Sequence, residues 1–116
     1  MVERGDVLRL KRRLGYAAKG ETESVVVVQA TTLNSVLPTL IVVPLDPATG
    51  AYARDQAVVR VSRAEVGSSV DHVAVPWRLR AIAADSLAPG TAGRLQPVTL
   101  AALDHILTLV LDLRPR

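Results

Sequence analysis

The residues of this 116-residue chain that could do chemistry fall into three small groups. Glu21 and Glu23 follow Lys19, and Asp46 ends an apolar run further on. A carboxylate beside a cation can take a proton from a hydroxyl while the cation steadies developing negative charge. If the segments after Glu23 and before Asp46 are neighbours, these two acids flank one groove. Trp77–Arg78–Leu79–Arg80 joins an aromatic to two arginines, which suits base stacking with phosphate contact. Arg9, Lys11, Arg12, Arg13 and Lys19 crowd the first twenty residues, opposed there only by Glu3 and Asp6. Such a cluster attracts phosphate backbones. Each group also has a plainer reading: solvated loop ends for the acids, a core anchor for the lone Trp, a solvated face for the cations.

Other chemistries find little to work with. His72 and His105 lie far apart in sequence, so no metal-site spacing arises. His105 is expected on a helix surface and His72 in a turn. Without cysteine there is no disulfide and no thiolate site. Neither a glycine-rich phosphate loop nor a nucleophile elbow is present. No metal or other cofactor is expected. The Arg4–Gly5–Asp6 tripeptide is expected only to open the first strand.

The elements that must position these groups are mostly strands. Hydrophobic residues make up 49% of the chain but aromatics only 3%, so Val, Leu, Ile and Ala must build the core. The length fits one domain over residues 1–116. The net charge of +3 is a modest basic balance. No apolar run approaches the ~18–20 residues of a membrane span, and charges stand where a secretory signal would be apolar, so a cytoplasmic location is expected.

The organising stretch is Ser24–Asp46. Its apolar runs, Val25–Val28 and Leu40–Leu45, do not alternate with polar residues and read as strands covered on both faces. Gly5–Arg12 reads as a strand apolar on one side, through Leu8 and Leu10. Gln56–Ser62, His72–Leu79 and Thr91–Leu95 complete the strands, with Pro76 marking an edge or bulge. Arg13–Glu23, Thr31–Pro38, Ala48–Asp55 and Glu65–Asp71 read as connections, and Ile82–Leu87 as a short helical turn. A helix starts at Pro97, with Leu100, Leu103, Leu107 and Val110 on its buried face and Thr99, Asp104 and Thr108 opposite. Leu109 and Leu113 widen its apolar arc beyond what one small domain needs, as a twin subunit would require. The pattern predicts a mainly β, partly closed small barrel with a C-terminal helix.

In this order the pieces resemble the MazF/PemK family of toxins from type II toxin-antitoxin systems. Arg4-Gly5-Asp6-Val7 is similar to the family's R-G-[DE]-[VI] opening, Val25–Gln29 to its second strand, and Asn34 to the asparagine that follows. Pro38–Leu45 is similar to its third strand, Arg78–Ile82 to its Q-I-R-T-I segment, and Gly93-Arg94-Leu95 through Leu113 to its last strand and helix. The resemblance covers nearly the whole chain. It implies an SH3-like barrel of the MazF/CcdB type, a homodimer, and metal-independent cleavage of single-stranded RNA. It also implies a cognate antitoxin whose acidic C-terminal segment blocks the groove.

The chain departs from the family at three places. Glu23-Ser24 stands where the family has Arg-Pro, Asp46 where it has Thr or Ser, and Arg78 where Gln is common. A carboxylate (Glu21, Glu23 or Asp46) is then the candidate base and Lys19 or Arg78 the candidate phosphate cation. Lys11, Arg12, Arg13, Lys19, Trp77 and Arg80 are the candidate RNA contacts. The alternative is a catalytically silent, diverged relative that binds a protein target, as CcdB-like toxins do, or acts as a regulator.

Overall fold

The two valine-rich runs form the central strands, because β-branched side chains fit a pleated surface covered on both sides. A computed structural model describes residues 2–11, 23–48 and 57–113. Among these the strands are β1 (Asp6–Arg9), β2 (Ser24–Val27), β3 (Thr39–Pro47), β4 (Val59–Val61), β5 (His72–Ala74), β6 (Arg80–Ala83) and β7 (Gly93–Arg94). The helical segments are α1 (Thr31–Asn34), α2 (Arg63–Val66) and α3 (Pro97–Val110), with 3-10 turns at Pro76–Arg78 and Ala84–Ser86. The sheet runs β4-β5-β3-β2-β1-β7, and β6 pairs with β3. A bridge between Leu10 and Leu87 draws the end of β1 to the chain beyond β6. The result is the expected mainly β half-barrel with a C-terminal helix.

Strand alternation divides the buried side chains into two cores. Val7, Val26, Val43 and Leu45 pack with Leu103 and Leu107 of α3. Leu8, Val25, Val27, Leu40 and Val42 form the second core with Ile82. Burying one such side chain stabilises the fold by ~1.5–3 kcal/mol. β1 therefore departs from the sequence reading: Val7 is as buried as Leu8, and the strand is apolar on both sides. α3 buries Leu103 and Leu107 as expected, with Leu100 partly buried, but Asp104 and Thr108 are half-buried and Val110 is exposed. Asp104 is paired with Arg4, whose guanidinium donates to the Val28 carbonyl and to both Asp104 oxygens.

The expected strand over His72–Leu79 is cut short: β5 ends at Ala74, a turn follows, and β6 starts at Arg80. Pro76 has no N–H for a ladder, and the chain turns there, with the Arg78 amide donating to Val75 and that of Leu79 to Pro76. Hence β5 pairs with Leu45–Pro47 of β3, while β6 pairs with Thr39–Val42 and takes in the first two residues of the expected helical turn Ile82–Leu87, whose helical part is the 3-10 turn Ala84–Ser86. Pro44 sits at the break between them, where its own lack of an N–H costs no ladder bond, and its carbonyl accepts from Val75.

Arg63–Val66 forms α2, which takes in the first two residues of the expected connection Glu65–Asp71. Ser62 caps it in a reciprocal capping box with Glu65, and Gly67 ends it in the left-handed conformation at φ 70°. Glu65 is buried and also accepts from the Gln96 amide, so one carboxylate ties α2 to the start of α3. Burial raises its pKa, but the Gln96 amide, the Thr99 hydroxyl and the Ser62 amide and hydroxyl outweigh it and hold the acid below its ordinary 4.5. A depressed folded-state pKa contributes stability above the unfolded value and loses it as pH falls through the folded one. The stability gap between wild type and Glu65→Gln should therefore be wide at neutral pH and narrow below 4.5. Urea unfolding on both sides of that value checks this, and a pH-independent gap would count against it.

Candidate active site

β2 and β3 are antiparallel, with Ser24 opposite Leu45. The ladder ends at that pair, and continuing its register by one residue would face Glu23 with Asp46. Directly opposed positions hold their Cβ atoms ~4.5–5.5 Å apart and on one face. The row continues across the sheet, since Asp46 pairs with Val73 and Val73 with Arg60. Asp46 is thus a strand residue rather than the residue after a strand. Glu23 is 2% exposed and Asp46 6%, so neither is a solvated loop end. At the other end of the row the Leu10 amide donates to the Glu23 carbonyl.

Arg80 lies opposite Val42, four residues before Asp46 on β3 and on the same face. At ~3.3 Å per residue that places it ~13 Å along the strand. Arg78 and Trp77 sit between, in the turn that joins β5 to β6. Arg78 and Arg80 are half-buried, and Trp77 is 40% exposed, which removes its reading as a core anchor. Lys11 is exposed, its amide donating to Ser86. Arg12, Arg13, Lys19 and Glu21 lie outside the described residues.

Paired carboxylates in a dry row can take or give a proton, and two arginines on the adjoining segment can meet an anion. Two groups that sequence reading assigned elsewhere also enter the area. Arg60 closes the carboxylate row, and His72 lies buried in β5 instead of in a turn. Asp71, exposed next to it, is held below its ordinary pKa of 3.8 chiefly by the Arg63 amide, with added attraction from the Arg63 and Arg60 guanidinium groups. The signal that could have placed this region is Ser62-x-x-Glu65, a capping-box pattern that fixes where β4 must end. His105 is exposed on α3, as expected.

The Arg4–Gly5–Asp6 tripeptide is consumed structurally. Arg4 binds Asp104, and Asp6 binds Arg94, which also pairs with Glu3. Those partners, Glu3 foremost and then Asp6, raise the Arg94 pKa. A separate apolar groove of about 350 Å³ runs between β3 and α3, lined by Ile41, Leu79, Leu107, Leu111 and Leu113 with Arg4 and Asp104 at its side. Leu111 and Leu113 remain 47% and 64% exposed. Among the described residues no group of three His, Asp or Glu is placed to hold a metal ion, and no helix is long and apolar enough to cross a membrane.

Residues 3–111 match a protein family described as PemK-like, MazF-like toxin of type II toxin-antitoxin system. Among curated proteins none matches the sequence significantly. Several solved structures share the fold. A mycobacterial endoribonuclease in complex with its cognate antitoxin superposes with a TM-score of 0.74 at 17% identity, covering 99% of this chain and 97% of that one. The Mycobacterium tuberculosis toxin MazF-mt6 gives 0.74 at 15% identity, over 95% and 99%. MazF in a MazE-MazF structure from Deinococcus radiodurans gives 0.71 at 15% identity, over 95% and 94%.

Proposed function

The chain belongs to the family of PemK-like, MazF-like toxins of type II toxin-antitoxin systems, and we propose that it acts as a metal-independent endoribonuclease on single-stranded RNA in the cytoplasm. The observation that carries this reading is the burial of two carboxylates, Glu23 and Asp46, one residue past the last β2–β3 pair, with Arg80 on the face of Asp46. Asp46 takes the proton of a ribose 2′-OH. The 2′ oxygen attacks the adjacent phosphorus, the bond from phosphorus to the 5′ oxygen breaks, and that oxygen leaves with a proton. The products are a 2′,3′-cyclic phosphate and a 5′-OH. Arg78 meets the charge that develops on the phosphorane oxygens, a role the family usually gives to the position that is Glu23 here. Glu23 is the second candidate base, with Glu21 and Lys19 as further candidates on the preceding segment. Lys11, Arg12, Arg13, Lys19, Trp77 and Arg80 are the proposed RNA contacts.

Incubating the purified chain with single-stranded RNA in the presence of a chelator tests the reading. Fragments ending in a 2′,3′-cyclic phosphate support it. Intact RNA would overturn it and leave a binding toxin or regulator on the same fold.

The partner proposed from the mycobacterial complex is a cognate antitoxin, entering the groove with an acidic C-terminal segment. A second copy of the chain is proposed to cover the groove between β3 and α3, where Leu111 and Leu113 stand exposed. Light scattering should give twice the mass of one chain at micromolar concentration, and Leu111→Glu should halve it. A monomeric wild type would reject the homodimer.

A further inference from the structure

Arg60 belongs to two places at once. It ends the row that starts at Glu23 and Asp46, and it also lines a cavity of about 270 Å³ together with Ser62, Glu65, Asp71 and His72. His72 is only 7% exposed, and its Nδ1 lies 3.0 Å from the Val70 carbonyl. A carbonyl can only accept, so Nδ1 carries the hydrogen and Nε2 of the neutral ring keeps a lone pair. Asp71 receives the Arg63 amide and guanidinium on Oδ1, which leaves Oδ2 able to accept from a further donor. Glu65 is already engaged by Ser62 and Gln96.

The charges that line the cavity are one cation against two anions, which disfavours a phosphate. Two acceptors beside a planar guanidinium instead suit a flat ligand that brings donors. The volume lies below the ~300–1,000 Å³ of drug-sized sites and is room for a single ring system. Resting on the reading of this chain as an RNA-cutting toxin, we infer that this cavity is a subsite for one nucleobase that carries an exocyclic amine. The amine donates to Asp71 Oδ2 and His72 Nε2, and Arg60 stacks on the ring. Arg60 shares the face of Asp46 through Val73, two strands or about 10 Å away, so the base read here belongs to a nucleotide near the one attacked.

Titration of the ¹⁵N-labelled full chain with single nucleotides tests the inference through the histidine ring signals, with the exposed His105 as an internal control. Guanosine, adenosine or cytidine monophosphate should move the His72 Nε2 signal in a saturable way. Uridine monophosphate and base-free ribose 5-phosphate should leave it in place. Arg60→Ala, a change at an exposed strand position, should weaken the response at least tenfold with unchanged thermal stability. Equal responses to ribose 5-phosphate would make this a phosphate site, and equal shifts at both histidines would mean non-specific association; either overturns the subsite. RNA cleavage with a silent His72 would reject the subsite alone. A specific His72 response in a protein that leaves RNA intact would keep the subsite and reject the nuclease reading.

Discussion

Asp46→Asn should slow single-turnover RNA cleavage by ~10²–10³-fold while RNA affinity changes by less than roughly tenfold. The substitution keeps the size of the side chain and removes its ability to take a proton. Asp46 is held within β3 by its pairing to Val73 of β5 and lies one residue past the last β2–β3 pair, Ser24 with Leu45. Such a residue cannot be replaced functionally by a neighbour swinging in, because each neighbour is fixed by its own strand. Its burial also strengthens electrostatic interactions, since little water screens them. A drop confined to the chemical step would show in kcat and kcat/KM alike, the mark of an interaction made only in the transition state. Arg78→Gln should behave the same way, because losing the cation exposes the transition state and not the ground state. Cleavage that survives Asp46→Asn would remove Asp46 from the mechanism and turn attention to Glu23.

The largest effect on stability is expected at Gly93, whose substitution by Ala should destabilise the fold by about 4 kcal/mol or more. A Cβ built there would lie 2.0 Å from the Glu65 carbonyl oxygen and 3.1 Å from the carbonyl carbon of Val66. Both atoms are backbone and cannot rotate away. The contact is mutual, because a Cβ on Gly67 would meet the Ala92 carbonyl oxygen at 2.0 Å. The chain thus lays α2 directly on β7 through two missing side chains, and β7 in turn pairs with β1. Relief would require α2 to lift, breaking the Glu65 bond to Gln96. Gly90→Ala is the control. Its φ of +83° is strained for an L side chain, but nothing lies within 4 Å of the added carbon. It should cost only about 1–2 kcal/mol. Urea midpoints at constant slope separate the two, and equal shifts would show that crowding at Gly93 is absent.

What the sequence determined by itself was local. Runs of valine without polar alternation could only be strands buried on both faces, and β2 and β3 are that, split between two cores. Pro97 and the leucine spacing after it placed α3 closely. The ordered motifs from Arg4 to Leu113 carried the family. What only the tertiary structure decided was every relation between distant residues. A strand register is a property of two segments, so the relation of Glu23 to Asp46 could be stated only as a condition on which strands were neighbours. The partial burial of Asp104 goes with its pairing to Arg4, a hundred residues earlier, and no helical periodicity could carry that. Trp77 left its expected strand for a similar reason. The Pro76 turn ends β5 at Ala74 and lifts Trp77 out of the sheet. Periodicity records which side of an element is apolar, whereas a site forms where elements meet, and that is settled by packing.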